Sequence, residues 1–96
     1  MIYAVDLLLK ARKELFEARL WYEEKEEGLG KRFRQDVFKK IDLIQSNPLH
    51  YPSKNGFREA NTDVFPFLIV YKINKKRKLI TIVSIFHTSR HPKKKY

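Results

Sequence analysis

The sequence predicts an α+β domain: a three- to four-stranded, mostly antiparallel sheet with a two-helix hairpin packed on one face. Three observations predict it. Residues 67–73 and 79–86 are dense in β-branched and aromatic side chains, as strands are. Residues 10–26 and 31–46 repeat apolar side chains at helical spacing. Only a short glycine-containing break, Gly28-Leu29-Gly30, separates those two segments, so they should fold back as an antiparallel hairpin. The 96 residues suffice for one domain, 1–96, with one modest core.

In chain order, residues 2–8 are mostly apolar. They are expected to form a strand, because a hairpin plus one short strand gains from a further partner. In the first helix Ala11, Leu15, Ala18 and Tyr22 recur at spacings of four and three, and Trp21 widens that face toward the core. Gly28 is placed to stop this helix in the left-handed conformation. In the second helix Phe33, Val37, Ile41 and Ile44 form the buried stripe, with Leu29 leading in and Phe38 alongside. Asn47-Pro48 ends it, since a residue preceding proline disfavours helical backbone.

Pro48, Pro52 and Gly56 mark residues 49–56 as a loop. A short strand is expected over 57–61 and a turn at Asn61-Thr62-Asp63. Pro66, which cannot donate to a ladder, marks the start of the central strand. Asn74-Lys75-Lys76-Arg77-Lys78 is a polar loop joining the two long strands as a hairpin. On the last strand simple alternation puts Ile80, Ile82, Ser84 and Phe86 on one face. Leu79, Thr81, Val83, Ile85 and His87 fall on the other. Both long strands are apolar on both faces, so the sheet side away from the helices should gain from a cover.

Hydrophobic residues make up 43% of the chain and aromatic residues 14%, which fits a folded domain. With no cysteine, disulfides and thiolate metal sites are excluded. No apolar run approaches the roughly 18 residues of a membrane span, and the N-terminus makes a poor signal peptide, so a cytoplasmic protein is expected. The formal net charge is +10, which favours an anionic partner. It is unevenly spread. Residues 14–27 hold six glutamates, whereas residues 72–95 hold lysines and arginines and no acid. Phosphate loops, zinc spacings and a nucleophile elbow are absent. His87 and His91 lie four apart without a third ligand, so neither a metal nor a cofactor is expected.

Ala11, Leu15, Ala18, Trp21-Tyr22, Gly28-Leu29-Gly30, Arg32-Phe33, Ile41, Ile44, Asn47-Pro48, Tyr51-Pro52, Arg58, Phe65-Pro66-Phe67, Ile69 and Tyr71 are followed by His87, Arg90 and Pro92. This order resembles the RelE/ParE toxins of bacterial type II toxin–antitoxin systems, also described as plasmid stabilisation proteins, over essentially the whole chain. The resemblance implies a strand–helix–helix–three-strand fold and a small acidic antitoxin as partner. It also implies one of two targets. RelE-like members cut messenger RNA on the ribosome, and ParE-like members inhibit DNA gyrase without catalysis.

A metal-independent endoribonuclease needs a proton acceptor for the 2′-hydroxyl, cations for the phosphorane charge and an acid for the leaving oxygen. The resemblance to nuclease members offers Arg58 and Arg90 for the phosphate and an Arg90–Tyr96 pair near the C-terminus. His87 could carry a proton, its ordinary pKa lying near neutrality. Lys54, Lys93 and Lys94 extend the basic surface for RNA. The glycine-linked helix hairpin resembles the ParE side, which leaves both targets open.

Overall fold

The computed structural model describes residues 2–89. The elements are β1 (Ala4–Leu7), α1 (Leu9–Lys25), α2 (Leu29–Ser46), β2 (Ser53–Lys54), β3 (Phe57–Asn61), β4 (Phe67–Asn74) and β5 (Leu79–His87). They form one five-stranded sheet in the order β1-β5-β4-β3-β2. β1 runs parallel to β5, and every other pair is antiparallel. The helix hairpin covers one face of the sheet, as the periodicity implies.

The strand count exceeds the expected three to four because of β2. Residues 49–56 read as a loop, but Ser53 and Lys54 pair with Arg58 and Phe57 across a two-residue turn. Asn55 (φ 54°) and Gly56 (φ 81°) both adopt left-handed backbone there. Asn-Gly is the dipeptide that such a hairpin turn favours, so the signal was present in the sequence.

The core lies between the sheet and the helices. Tyr22, Phe33, Phe65 and Phe67 make an aromatic cluster, with ring centroids 4.7–6.2 Å apart. Val37, Ile41 and Ile44 of α2 continue it over Ile69, Tyr71, Ile80, Ile82 and Ile85. The stripe expected on α2 is therefore the buried one. α1 differs: Ala11 and Tyr22 are buried, but Trp21 is 43% exposed. Trp21 does not extend the core. Its ring meets the edge of Tyr22 and lies under the Lys25 ammonium, 4.7 Å from the centroid. Phe16 and Leu20 also point outward. Thus α1 is apolar on two sides, and only one of them faces the sheet.

The helix connection is set by glycine. Gly28 has φ 85°, as expected, but it stands at the N-terminus of α2 and not at the end of α1. Glu23 closes the connection: its carboxylate accepts from Gly28 N at 2.9 Å and Gly30 N at 3.0 Å. Gly30 allows the close approach, because a Cβ there would lie 2.6 Å from the Arg19 carbonyl oxygen.

A β-bulge corrects the face assignment on β5. Val70 pairs with Ser84 and Tyr71 with Ile82, so Val83 is the extra residue. Beyond it the alternation inverts. Ile85 joins Ile80 and Ile82 in the helix-side core. His87 pairs with Phe67 on that same side. On the opposite face Val70 and Phe86 are 0% and 5% exposed, so this side is less bare than the sequence suggested.

Candidate functional site

Of the sequence-derived candidates, Lys54, Arg58 and His87 lie among the described residues. Arg90, Lys93, Lys94 and Tyr96 lie outside them. Lys54 is exposed on the edge strand β2.

Arg58 sits on β3 opposite Tyr71 of β4. Tyr71 faces the helix-side core, and Arg58 shares that side of the sheet. Its guanidinium donates to the Tyr51 carbonyl at 2.6 Å and to the Leu49 carbonyl at 3.4 Å. The buried Tyr71 hydroxyl donates to the Pro48 carbonyl at 2.7 Å. Burial pushes the Tyr71 phenol up to about 12, although Arg58 opposes the shift. Together these two side chains satisfy three carbonyls of the chain leaving α2. Arg58 is thus engaged in holding a loop.

His87 ends β5 at the other end of the sheet. Its ring stands edge-on to Phe67, with centroids 5.4 Å apart, and Nδ1 accepts the Ser89 amide at 3.1 Å. It lines a cleft of about 240 Å³ together with Glu14, Glu17 and Trp21 of α1. Glu14 ties α1 to β5 here. Its carboxylate accepts from the Ser84 hydroxyl at 2.8 Å and from the Ile85 amide at 3.0 Å. Lys10 completes the arrangement by donating to Ser84 at 3.2 Å. Because β1 pairs with β5 only as far as Ile82, Glu14 supplies the acceptor that a longer β1 would have given. Sequence reading missed this network, because no local pattern sets Glu14 apart from the other glutamates of residues 14–27.

Arg58 and His87 do not converge. Their partners on β4, Tyr71 and Phe67, are separated by four residues along that strand, and β3 and β5 flank β4 on opposite sides. At about 3.3 Å per residue and about 4.8 Å per strand spacing, the two Cα atoms stand on the order of 16 Å apart. The cleft at His87 also carries two carboxylates, which repel a phosphodiester.

A different surface combines apolar area with positive charge. Between β1, α1 and α2 lies a groove of about 660 Å³. Leu15, Phe16 and Phe38 give it an apolar floor, and Arg12, Arg19, Lys31 and Arg34 surround it. Arg12 is tied to Asp6 at 3.7 Å, and Arg34 stacks over Phe38 at 4.6 Å. Among the described residues no group of three or more His, Asp or Glu could hold a metal ion. No helix there is long and apolar enough to cross a membrane.

This fold, with a parallel first strand beside the last and a helix hairpin across one face, is that of the toxins of type II toxin–antitoxin systems. The chain is similar to a structure of the chromosomal ParDE toxin–antitoxin system from P. aeruginosa, with TM-score 0.72, 21% identity and 90% of this chain and 96% of that chain covered. It is about as similar to a structure of the intact E. coli RelBE toxin–antitoxin complex, with TM-score 0.71, 16% identity and coverages of 92% and 99%. The isolated E. coli RelE toxin matches at TM-score 0.69 and 16% identity, with coverages of 92% and 86%. No curated relative matches by sequence. The family model of the ParE toxin of type II toxin–antitoxin system, parDE, matches residues 5–92. The chain belongs to the ParE toxin family, and it is the toxin component of a type II toxin–antitoxin system.

Proposed function

We propose that this toxin acts by binding a protein target, DNA gyrase, and does not cut messenger RNA. The observation that carries this reading is the separation of Arg58 from His87, with Arg58 held on loop carbonyls and His87 in a cleft beside Glu14 and Glu17. A metal-independent nuclease needs its cations and its proton carrier on one phosphate. Membership in the ParE family favours the same reading. The overall fold does not discriminate, because ParDE and RelBE structures match almost equally well.

The partner that restrains the toxin is a small acidic antitoxin seated in the groove between β1, α1 and α2. Phe16 and Phe38 offer apolar anchors, and the surrounding arginines and lysine attract acidic side chains. Apolar burial at about 25 cal/mol per Å² would supply most of the affinity, and charge would mainly raise the association rate.

Purified toxin added to gyrase, relaxed plasmid and ATP tests the target. Inhibited supercoiling with accumulation of cleaved plasmid is the expected result. Normal supercoiling at a large molar excess of toxin would remove gyrase as the target.

A further inference from the structure

Part of the positive charge of this chain is answered locally. Lys39 and Lys40 meet Asp63, Arg32 meets Glu26, and Lys25 and Arg34 lie over aromatic rings. The β4–β5 tip gathers on one turn several cations that are not so answered. From Lys72 to Ser89 the sequence holds no acid. Lys72, Lys75, Lys76 and Arg77 are exposed and form no ion pair with any described residue. They border one open concavity of about 550 Å³. The tip is held in shape. Asn74 pairs with Leu79, its side chain accepts the Arg77 amide at 3.0 Å, and Lys78 takes left-handed backbone with φ 54°.

We propose that this tip is a contact surface for the phosphate backbone of duplex DNA. A fixed turn that presents four unneutralised cations suits a dense row of phosphates, each contact releasing bound counterions. The rest of the patch argues against other polyanions. No aromatic side chain lies between Lys72 and Leu79, so bases of a single strand have nothing to stack on. No exposed apolar side chain crowns the tip to enter a bilayer. Ile73 and Leu79 are half-buried, leaving the tip without the central apolar anchor of a protein interface. The contact reads no sequence, since nothing here is shaped to reach base edges. It is independent of the groove assigned to the antitoxin and of the proposed target.

The test uses the full chain and a fluorescent 20-base-pair duplex of arbitrary sequence, with anisotropy read from 50 to 200 mM salt. Three or four phosphate contacts predict a log–log salt slope of about −3, and so a loss of roughly 40- to 150-fold across that range. The triple variant K75Q/K76Q/R77Q should bind at least tenfold more weakly at 50 mM salt, with a shallower slope. A control variant, K13Q/K39Q, should bind like wild type. Matching circular dichroism spectra ensure that all three proteins are folded. If the triple variant unfolds, K72Q/K76Q, which leaves the turn intact, takes its place with at least a fivefold loss expected. The assignment is overturned if the loop variants bind the duplex as wild type does. It is equally overturned if single-stranded RNA, polyglutamate or vesicles containing 30% anionic lipid bind as tightly as the duplex at the same salt.

Discussion

Arg58 and Tyr71 face each other across β3 and β4, and both end on the same short stretch of backbone. Tyr71 takes the Pro48 carbonyl and Arg58 takes those of Leu49 and Tyr51. The chain leaving α2 is therefore fastened to the sheet by one buried hydroxyl and one guanidinium. Removing either donor leaves a carbonyl without its partner, which costs about 1–3 kcal/mol. Arg58→Met and Tyr71→Phe should each lower the thermal midpoint by several degrees. Because they secure one loop, the double variant should lose less than the sum of the two. Strict additivity in a double-mutant cycle would show that the two residues act on separate structures.

The phenol of Tyr71 gives this pair a signature in pH. Its folded pKa, about 12, stands above the ordinary 10.0, so its contribution to stability is whole below about pH 10 and is lost as the pH rises toward 12. Ultraviolet titration should show one tyrosine ionising well after the exposed ones. In Tyr71→Phe that late step should vanish. A wild-type curve with no late step would contradict the burial of this hydroxyl.

Two glycines of the helix connection act differently, and their variants should separate strain from crowding. Gly28 has open space around it but φ 85°, so Gly28→Val should cost about 1–2 kcal/mol through backbone strain, and Gly28→Asn should cost less. Gly30→Ala should be destabilising for another reason, because its Cβ would meet the Arg19 carbonyl oxygen at 2.6 Å and force the helices apart. Thermal melts of the three variants check this. Equal stability of Gly30→Ala and wild type would mean that the helices are not so closely apposed.

Acid should loosen the same connection. Amides of Gly28 and Gly30, with help from Arg19, hold the Glu23 carboxyl below its ordinary range. Lys40, and less directly Lys39, do the same for Asp63. A lowered folded pKa means that the stabilisation is present above the ordinary carboxylate values and is lost as the pH falls through the folded ones. Stability should therefore decline below about pH 4.5. In Glu23→Gln the decline should be smaller, starting from a lower plateau. An unchanged pH profile in that variant would remove Glu23 from the effect.

The groove proposed to seat the antitoxin presents an apolar side chain that is largely exposed. Phe16 is 56% exposed. Phe16→Glu should leave the melting temperature almost unchanged while weakening antitoxin binding by at least tenfold, measured by calorimetry. Undiminished affinity would move the antitoxin to another surface.

The sequence made the layers of this fold readable, because helical and strand periodicities differ and the break at Gly28-Leu29-Gly30 is unambiguous. It also placed Gly28 in left-handed backbone. What it could not show was geometry created between segments. The unpaired Val83 inverts the pleat, and a period-two reading of β5 then carries His87 to the wrong side. Trp21 looked like core because it borders the right stripe, yet it lies at the stripe's margin and is 43% exposed. Arg58 is offered as a phosphate ligand by the resemblance to nuclease members, which says nothing of its neighbours in this fold. Only the folded loop shows which carbonyls occupy it. The roles of Glu14 and Glu23 rest on backbone amides that the chain brings to them, and no local pattern announces those.

Mapping RNA 5′ ends after brief expression tests the central claim most directly. If the toxin works by binding, growth stops while transcripts keep the 5′ ends of uninduced cells, and His87→Ala arrests growth as wild type does. New 5′ ends within coding regions, present with wild type and absent with His87→Ala, would contradict the account and place an RNA-cleaving centre at His87.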